Sequence, residues 1–402
     1  MYFQYFRGVQ VTLSRLVRAI TTFETNNSYY LFSNNTEMGP SRVSTVTPPF
    51  EDPCIIFKPL TTRGGAERYM ASVAAALDAP LYTPYQTVSI DEHIDVIEFR
   101  DRDLSIRLID HISTATANLL ELENFEVPEK HDAVITSGGA TKAVIHHPDQ
   151  RRYHVLQMPP RWLYDLGPGK YAKTPPLFRG VKRMLQSYLR VHDRTTTMQI
   201  DDFVVPSEVI GRRLGTYYNR EPSAVIYPPV DIDSYHHGSQ EEFLLAIGRL
   251  SPEKRMDELV RTLNDTKYQI KIAGDGPERQ ELERIASDNV ELLGYVTEEE
   301  KRDLLAHCDA LVFNSDREAF GIVPIEAMAS GKPVVGVNEG FTRFQIEPGR
   351  NGVVYERGSE NFVSAVEKMY TTDWEPDEIQ QTAQKYSAAR FEEDWRLLLS
   401  EE

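Results

Sequence analysis

Short apolar runs alternate with amphipathic stretches along most of the chain. Cys54-Ile55-Ile56-Phe57-Lys58-Pro59-Leu60 predicts a strand, and a polar turn at 61–67 opens onto a helical pattern at 69–77. Further strands are predicted at 95–99, 133–137, 153–157, 203–205 and 224–227, with helices at 104–122 and 207–218. Pro228-Pro229 closes this half, because proline cannot donate to a strand ladder. A second alternation follows, with strands at 243–248, 269–273, 290–293, 311–314 and a closing one at 334–337. Its helices are predicted at 254–263, at 278–286, from Thr297 toward His307, and at 324–329. Thr297 and Glu300 form a capping box, and Gly331 supplies a left-handed C-cap for the helix before it. Phe391, Trp395 and Leu398 fall at i, i+4 and i+7, which gives the final helix one apolar face.

Strands alternating with helices predict parallel sheets covered on both faces, an α/β protein. The proline pair divides it, so residues 51–236 and 237–385 are expected to form two Rossmann-like domains, with 386–402 as a helix returning toward the first. Residues 1–50 break the pattern. They hold Arg7, Arg15 and Arg18 but no acid before Glu24, and 26–49 are rich in Asn, Ser, Thr and Pro. They read as an N-terminal extension outside the fold, the rival reading being a basic arm on a membrane surface.

Length and charge narrow the class. A chain of 402 residues suits two domains, and 41% hydrophobic residues suffice for two cores. With 44 Lys and Arg against 61 Asp and Glu, the formal net charge is −17, which argues against nucleic acid as a partner. Cys54 and Cys308 stand alone and far apart, excluding a disulfide scaffold or a Cys-based zinc knuckle and suiting a reducing compartment. No run of eighteen apolar residues and no apolar leader is present, so a cytoplasmic protein is expected, peripheral to the membrane at most. One stretch, 176–194, reads as an amphipathic helix, with Phe178, Val181, Leu185, Tyr188 and Leu189 apolar and Arg179, Lys182, Arg183 and Arg190 basic. A core helix with a solvated face fits it, and so does a helix lying on anionic lipid.

The chemistry concentrates in Ser315-Asp-Arg-Glu318-Ala-Phe320-Gly321-Ile322-Val323-Pro324-Ile-Glu326. A strand ends at Ser315, a loop carries Glu318 and a helix starts near Pro324. The backbone N–H groups of Phe320, Gly321, Ile322 and Val323 are then expected to face outward, ready for a diphosphate. Glu318 can accept from sugar hydroxyls, and Glu326 can take both hydroxyls of a ribose. Two acids beside an ordinary capped helix would give the same spacing. A second cluster, Gly248-Arg249-Leu-Ser-Pro-Glu-Lys254, delivers two cations after a strand. Gly274-Asp-Gly276-Pro-Glu278 and Gly294-Tyr295-Val296 are strand-end turns, equally readable as structural. In the first half, Gly64-Gly65-Ala-Glu67 offers a backbone without a clashing Cβ.

The stretch from Glu318 to Val335 resembles the E-x7-E motif of the retaining glycosyltransferases of the family 4 type, group 1. Arg249 with Lys254 resembles that family's diphosphate-binding pair, Gly64-Gly65-Ala-Glu67 its G-G-x-E loop, and Gly274 its A-G-x-G-P turn. The resemblance covers roughly residues 54–400. It implies the GT-B fold, with two Rossmann-like domains facing across a cleft, and hexosyl transfer from a nucleotide sugar with retention. Glu318, Arg249 and Lys254 would then be catalytic. Gly65, Gly274, Phe320, Gly321, Ile322, Val323 and Glu326 would bind the donor, with Gly64, Gln157 and Arg161 as cleft or acceptor residues. Gln157-Met-Pro159-Pro-Arg161 departs from the family's H-x-P-x-R segment at its first position. Glutamine can hydrogen-bond but cannot shuttle a proton, and His154 is expected to face the other way on its strand.

No metal or other cofactor is implied. The implied partners are a nucleotide sugar and a glycan or lipid-linked acceptor, dolichol phosphate-linked in similar archaeal enzymes of surface-layer glycoprotein assembly. Two rivals stay open: another GT-B enzyme such as a sugar-nucleotide epimerase, and a non-catalytic nucleotide-sugar-binding partner.

Overall fold

The computed structural model describes residues 50–90, 92–99, 121–164, 176–264 and 266–400. The helix expected at 104–122 falls almost wholly outside them, as does the 1–50 extension apart from Phe50. All described residues belong to one unit, Pro48–Glu402.

In the first half, β1 (Pro53–Phe57), β2 (Leu81–Thr83), β3 (Val96–Glu98), β4 (Ala133–Ser137), β5 (Arg151–Val155), β6 (Asp202–Val205) and β7 (Ala224–Val225) form one sheet in the order 3-2-1-4-5-6-7. Every pairing is parallel. Helices α1 (Gly65–Leu77), α2 (Pro176–Thr197) and α3 (Glu208–Tyr218) supply crossovers. The second half repeats the plan with β8 (Leu244–Ile247), β9 (Ile270–Ala273), β10 (Val290–Gly294), β11 (Ala310–Phe313), β12 (Val334–Val337) and β13 (Gly352–Tyr355), in the order 10-9-8-11-12-13. Its helices are α4 (Met256–Leu263), α5 (Arg279–Ile285), α6 (Glu298–His307) and α7 (Val323–Ala329), then α8 (Thr342–Gln345), α9 (Ser359–Thr371), α10 (Pro376–Ala383) and α11 (Ala388–Ser400).

Burial on both faces follows from the strands' period of two. Leu244, Ala246, Ala310 and Val312 enter one core, while Leu245, Leu311 and Phe313 enter the core on the opposite face. The chain crosses between the halves twice. Val230 N–H donates to Tyr386 O at 2.8 Å, so the outgoing and returning segments run side by side. Helix α11 then joins the first half, where Phe391, Trp395 and Leu399 share a core with Tyr69 of α1. Leu399 is buried there, and the expected Leu398 packs half-buried against the same core.

Several boundaries move. The strand expected at 54–60 stops at Phe57, ahead of Pro59, which cannot donate to a ladder, and that at 153–157 stops at Val155, where a tight turn follows. The set does not close at 337: β13 adds a parallel edge beside β12. The capping box stands, with Thr297 Oγ1 accepting from Glu300 N–H and Glu300 Oε2 accepting from Thr297 N–H. Gly331 adopts φ +68°, as a left-handed C-cap requires.

Candidate active site

In both sheets the strand order reverses between the first and fourth strands of the set. Such a switch point opens a crevice at the strands' C-terminal ends, where ligands of open α/β sheets bind. In the second half it lies between β8 and β11, and the loops leaving these two strands carry Arg249, Lys254 and Glu318. Lys254 Nζ donates to Glu318 Oε2, and Ser315 Oγ donates to the same oxygen at 2.6 Å. The Glu318 backbone is pinned from behind, because Phe341 N–H donates to Glu318 O at 2.9 Å. Arg249 is exposed and forms no ion pair among the described residues, so its charge is available to a ligand.

The turn after Glu318 depends on glycine. Gly321 adopts φ +84°, and a Cβ there would come within 3.1 Å of the Phe313 ring and 3.3 Å of Glu318 Cγ. Beyond it, the amides of Gly321, Ile322 and Val323 donate to no protein acceptor among the described residues. Gly274 has a different role. At φ +142°, its missing Cβ would overlap Gly248 O at 1.9 Å, and its N–H donates to Gly294 O at 2.7 Å. It holds three strand ends together and leaves no gap for a side chain.

Glu326, on α7, faces a cavity of about 180 Å³ together with Ile322, Gly65, Arg68, Tyr235 and Arg302. Lys301 Nζ donates to Glu326 Oε1 at 2.7 Å, while Oε2 is buried with no hydrogen-bond partner among the described residues. An unsatisfied buried carboxylate oxygen is costly unless a ligand hydroxyl completes it. Burial, followed by the neighbouring Glu326 charge, raises the pKa of the Tyr235 phenol. Gly65 closes the cavity from the first half, and a Cβ there would meet nothing within 4 Å. The G-G-A-E loop is braced from below. Glu67 is buried, and although burial alone would raise its carboxyl, hydrogen bonds from Lys58 and Thr62 hold it below the usual range. Gly64 is the N-cap of α1 and leaves the space that Glu67 Oε2 occupies.

Gln157 Nε2 donates to Ala66 O at 3.1 Å, tying the β5 loop to this turn. It lines a second cavity, of about 220 Å³, with Gly138, Gly139, Lys142, His154 and Asp193. His154 thus shares a cavity with Gln157, contrary to the strand-based expectation. Strand alternation stops at Val155, and a tight turn (Gln157 N–H to Val155 O, 3.2 Å) carries Gln157 round to the His154 side. His154 is fully buried, and burial, then the Lys142 charge, keeps its pKa well below the usual value. Arg161 starts a 3-10 turn at Arg161–Leu163 and does not line this cavity.

Sequence reasoning missed Ser315 as a Glu318 donor, Arg68 and Arg302 on the first cavity, and the Lys142–Asp193 pair on the second. Arg68 and Arg302 carried a usable signal, since each sits within about one or two helical turns of a recognised motif. Lys142 and Asp193 meet only through tertiary folding. Among the described residues no group of three or more His, Cys, Asp or Glu side chains could hold a metal ion.

Two Rossmann-like domains whose glycine loop and glutamate loop meet at one cavity define the GT-B architecture. Residues 230–386 match the family model of glycosyl transferases group 1. Over 169 residues the chain is 28% identical to an uncharacterised glycosyltransferase of Methanocaldococcus jannaschii, 41% of this chain and 48% of that protein. Over 112 residues it is 33% identical to a GDP-mannose-dependent alpha-mannosyltransferase of Mycobacterium tuberculosis, 28% of this chain and 29% of that protein. The chain thus spans less than half the length of these relatives. Among solved structures, HepE of Anabaena in complex with UDP-glucose superposes with a TM-score of 0.62 at 18% identity, covering 86% of this chain and 99% of that one. The apo lipopolysaccharide outer core galactosyltransferase WaaB superposes at 0.61 and 17% identity, over 86% and 98%. At these identities the superpositions establish the fold.

Proposed function

We propose that this chain is a retaining glycosyltransferase that moves a hexosyl group from a nucleotide sugar to a glycan or lipid-linked acceptor. One observation carries the reading: the buried, unpartnered Glu326 oxygen sits in a cavity closed by Gly65 from the other domain. A ribose diol there would place the diphosphate over the open amides of Gly321, Ile322 and Val323. Arg249 and Lys254 would then stabilise the charge that develops on the leaving diphosphate, and Glu318 would hold the sugar. The leaving phosphate oxygen takes the acceptor proton on the same face, so no protein base is required and Gln157 is compatible with the step. Residues 51–236 would serve as acceptor domain and 237–385 as donor domain, with 386–402 closing the first. A relative named for GDP-mannose and a fold neighbour solved with UDP-glucose support a nucleotide-sugar donor. We place the enzyme in lipid-linked glycan assembly, with peripheral contact to a membrane.

The test is a thermal-shift titration with UDP- and GDP-sugars on the native chain and on Glu326→Gln, followed by assignment of the product anomer by NMR. A donor that stabilises the native chain is expected to bind Glu326→Gln at least about tenfold more weakly, as loss of a charged hydrogen bond predicts. Equal binding would remove the ribose assignment, and an inverted anomer the mechanism.

A further inference from the structure

Helix α2 is built inside out. Among its described side chains the buried ones are Gln186, Asp193, Thr196 and Thr197, every one polar, with Leu189 half-buried beside them. The acid among them is fully engaged: Lys142 Nζ donates to Asp193 Oδ1 at 2.6 Å, and the Tyr164 and Tyr218 hydroxyls donate to Oδ2 at 2.6 and 2.9 Å. The outer side carries Met184 (68% exposed), Leu185 (54%), Tyr188 (64%) and Val191 (65%), and Met198 (80%) stands just past its end. Positions 184, 188, 191 and 198 fall at i, i+4, i+7 and i+14, a single line along the helix. A helix surrounded by water carries the opposite assignment, apolar in and polar out. The line and its flank hold half of the ten large apolar side chains exposed among the described residues, so this is a patch and not scatter.

Charge identifies what covers it. Arg183, Arg190 and Arg194 fall at i, i+7 and i+11 and form a row along one border of the apolar line, with Arg183 and Arg194 exposed. The only acid between Pro176 and Thr197 is Asp193, buried on the inner side. The chain as a whole carries −17, so this local excess of positive charge runs against its surroundings. A second copy docked here would set the same arginines against each other. An anionic lipid surface satisfies both features, taking the apolar line into the headgroup boundary and the arginines onto phosphates.

We infer that α2 docks this protein on anionic membrane through Met184, Leu185, Tyr188 and Val191, with Arg183 and Arg194 at the headgroups. The inference deepens the proposed function and rests on it only for the acceptor. Asp193, on the inner side of the same helix, lines the cavity that Gln157 lines. The bilayer surface therefore lies about one helix diameter, roughly 10 Å, from the first domain's cavity. A lipid-linked acceptor could reach that cavity without leaving its membrane.

The experiment is flotation of the full chain with vesicles of phosphatidylcholine alone or mixed with phosphatidylglycerol, with donor binding measured in parallel. The full chain is expected to float with the mixed vesicles and to release as salt rises. Replacing Leu185, Tyr188 and Val191 together by Ser should weaken binding by at least about tenfold. Arg183→Ser with Arg194→Ser should weaken it by roughly 25-fold. Both variants should stay folded at the assay temperature and keep the native donor shift. No flotation, equal flotation with both vesicle types, or flotation indifferent to both variants overturns the inference. So does a dimer that the triple variant dissociates, or vesicle binding seen only after residues 1–49 are deleted. Loss of donor binding with flotation intact would count against the proposed function and leave the docking helix standing.

Discussion

Glu318 is held by two donors on one oxygen, Lys254 and Ser315, so its position is set before any ligand arrives. Glu318→Gln keeps an acceptor oxygen but removes the charge that Lys254 answers. Turnover is expected to fall by about 10²–10³, with donor affinity changed only a few-fold, as kcat and a separate donor titration would show. His154 gives a prediction on stability. Burial holds its native pKa well below the ordinary histidine value, so below about pH 6.5 the unfolded chain binds a proton that the native chain refuses. Stability is therefore intact above that pH and declines as pH falls, by up to about 1.4 kcal/mol per pH unit for one group. Melting curves of native and His154→Asn protein between pH 5 and 7 would check it, the variant losing part of that slope. A slope identical in both proteins would remove His154 as its source.

Among the elements, α3 links the two halves at the loop that carries Glu318. Its N-cap Ser207 accepts from Ile210 N–H and donates to Ala319 O at 2.6 Å, next to Glu318. Ser207→Ala should cost about 1 kcal/mol of stability, together with a drop in kcat measured well below the melting point. An unchanged kcat would mean the loop keeps its place without this bond. The elements also show what was legible in the sequence. The strand–helix alternation gave both sheets, while Glu318, Arg249, Lys254 and Gly65 stood out through the resemblance of their motifs to the glycosyltransferase family, since their spacing alone also fits an ordinary capped helix and surface turns. Strand β2 escaped notice, being three residues between Pro80 and Pro84 that become a strand by pairing with β1 on one side and β3 on the other. Strand β13 starts on Gly352, where a Cβ would lie 2.1 Å from Val334 O. Local propensity argues against a strand there, and packing against β12 decides it. Helix α2 stays open between two readings in the sequence for a related reason: its period is plain, but which face turns inward depends on Lys142, a residue of another element.

For the molecule as a whole, the double crossing at Val230 and Tyr386 makes the first half dependent on the last helix. Trp395 is completely buried against α1, and Phe391 meets the Tyr69 ring edge-on at 5.3 Å. Trp395→Ala should cost about 3–5 kcal/mol. The loss should fall mainly on the first half, read as a separate early transition in urea followed by hydrogen exchange; uniform loosening of both sheets would contradict it. This route of the chain also bears on how the protein can be divided. A single cut in the connection after Pro229 would release no self-sufficient first half, because the helix that completes its core, α11, follows the second half in the chain. Two fragments would have to reassemble around Trp395, and recombination between relatives at this joint would need to exchange the tail along with the head.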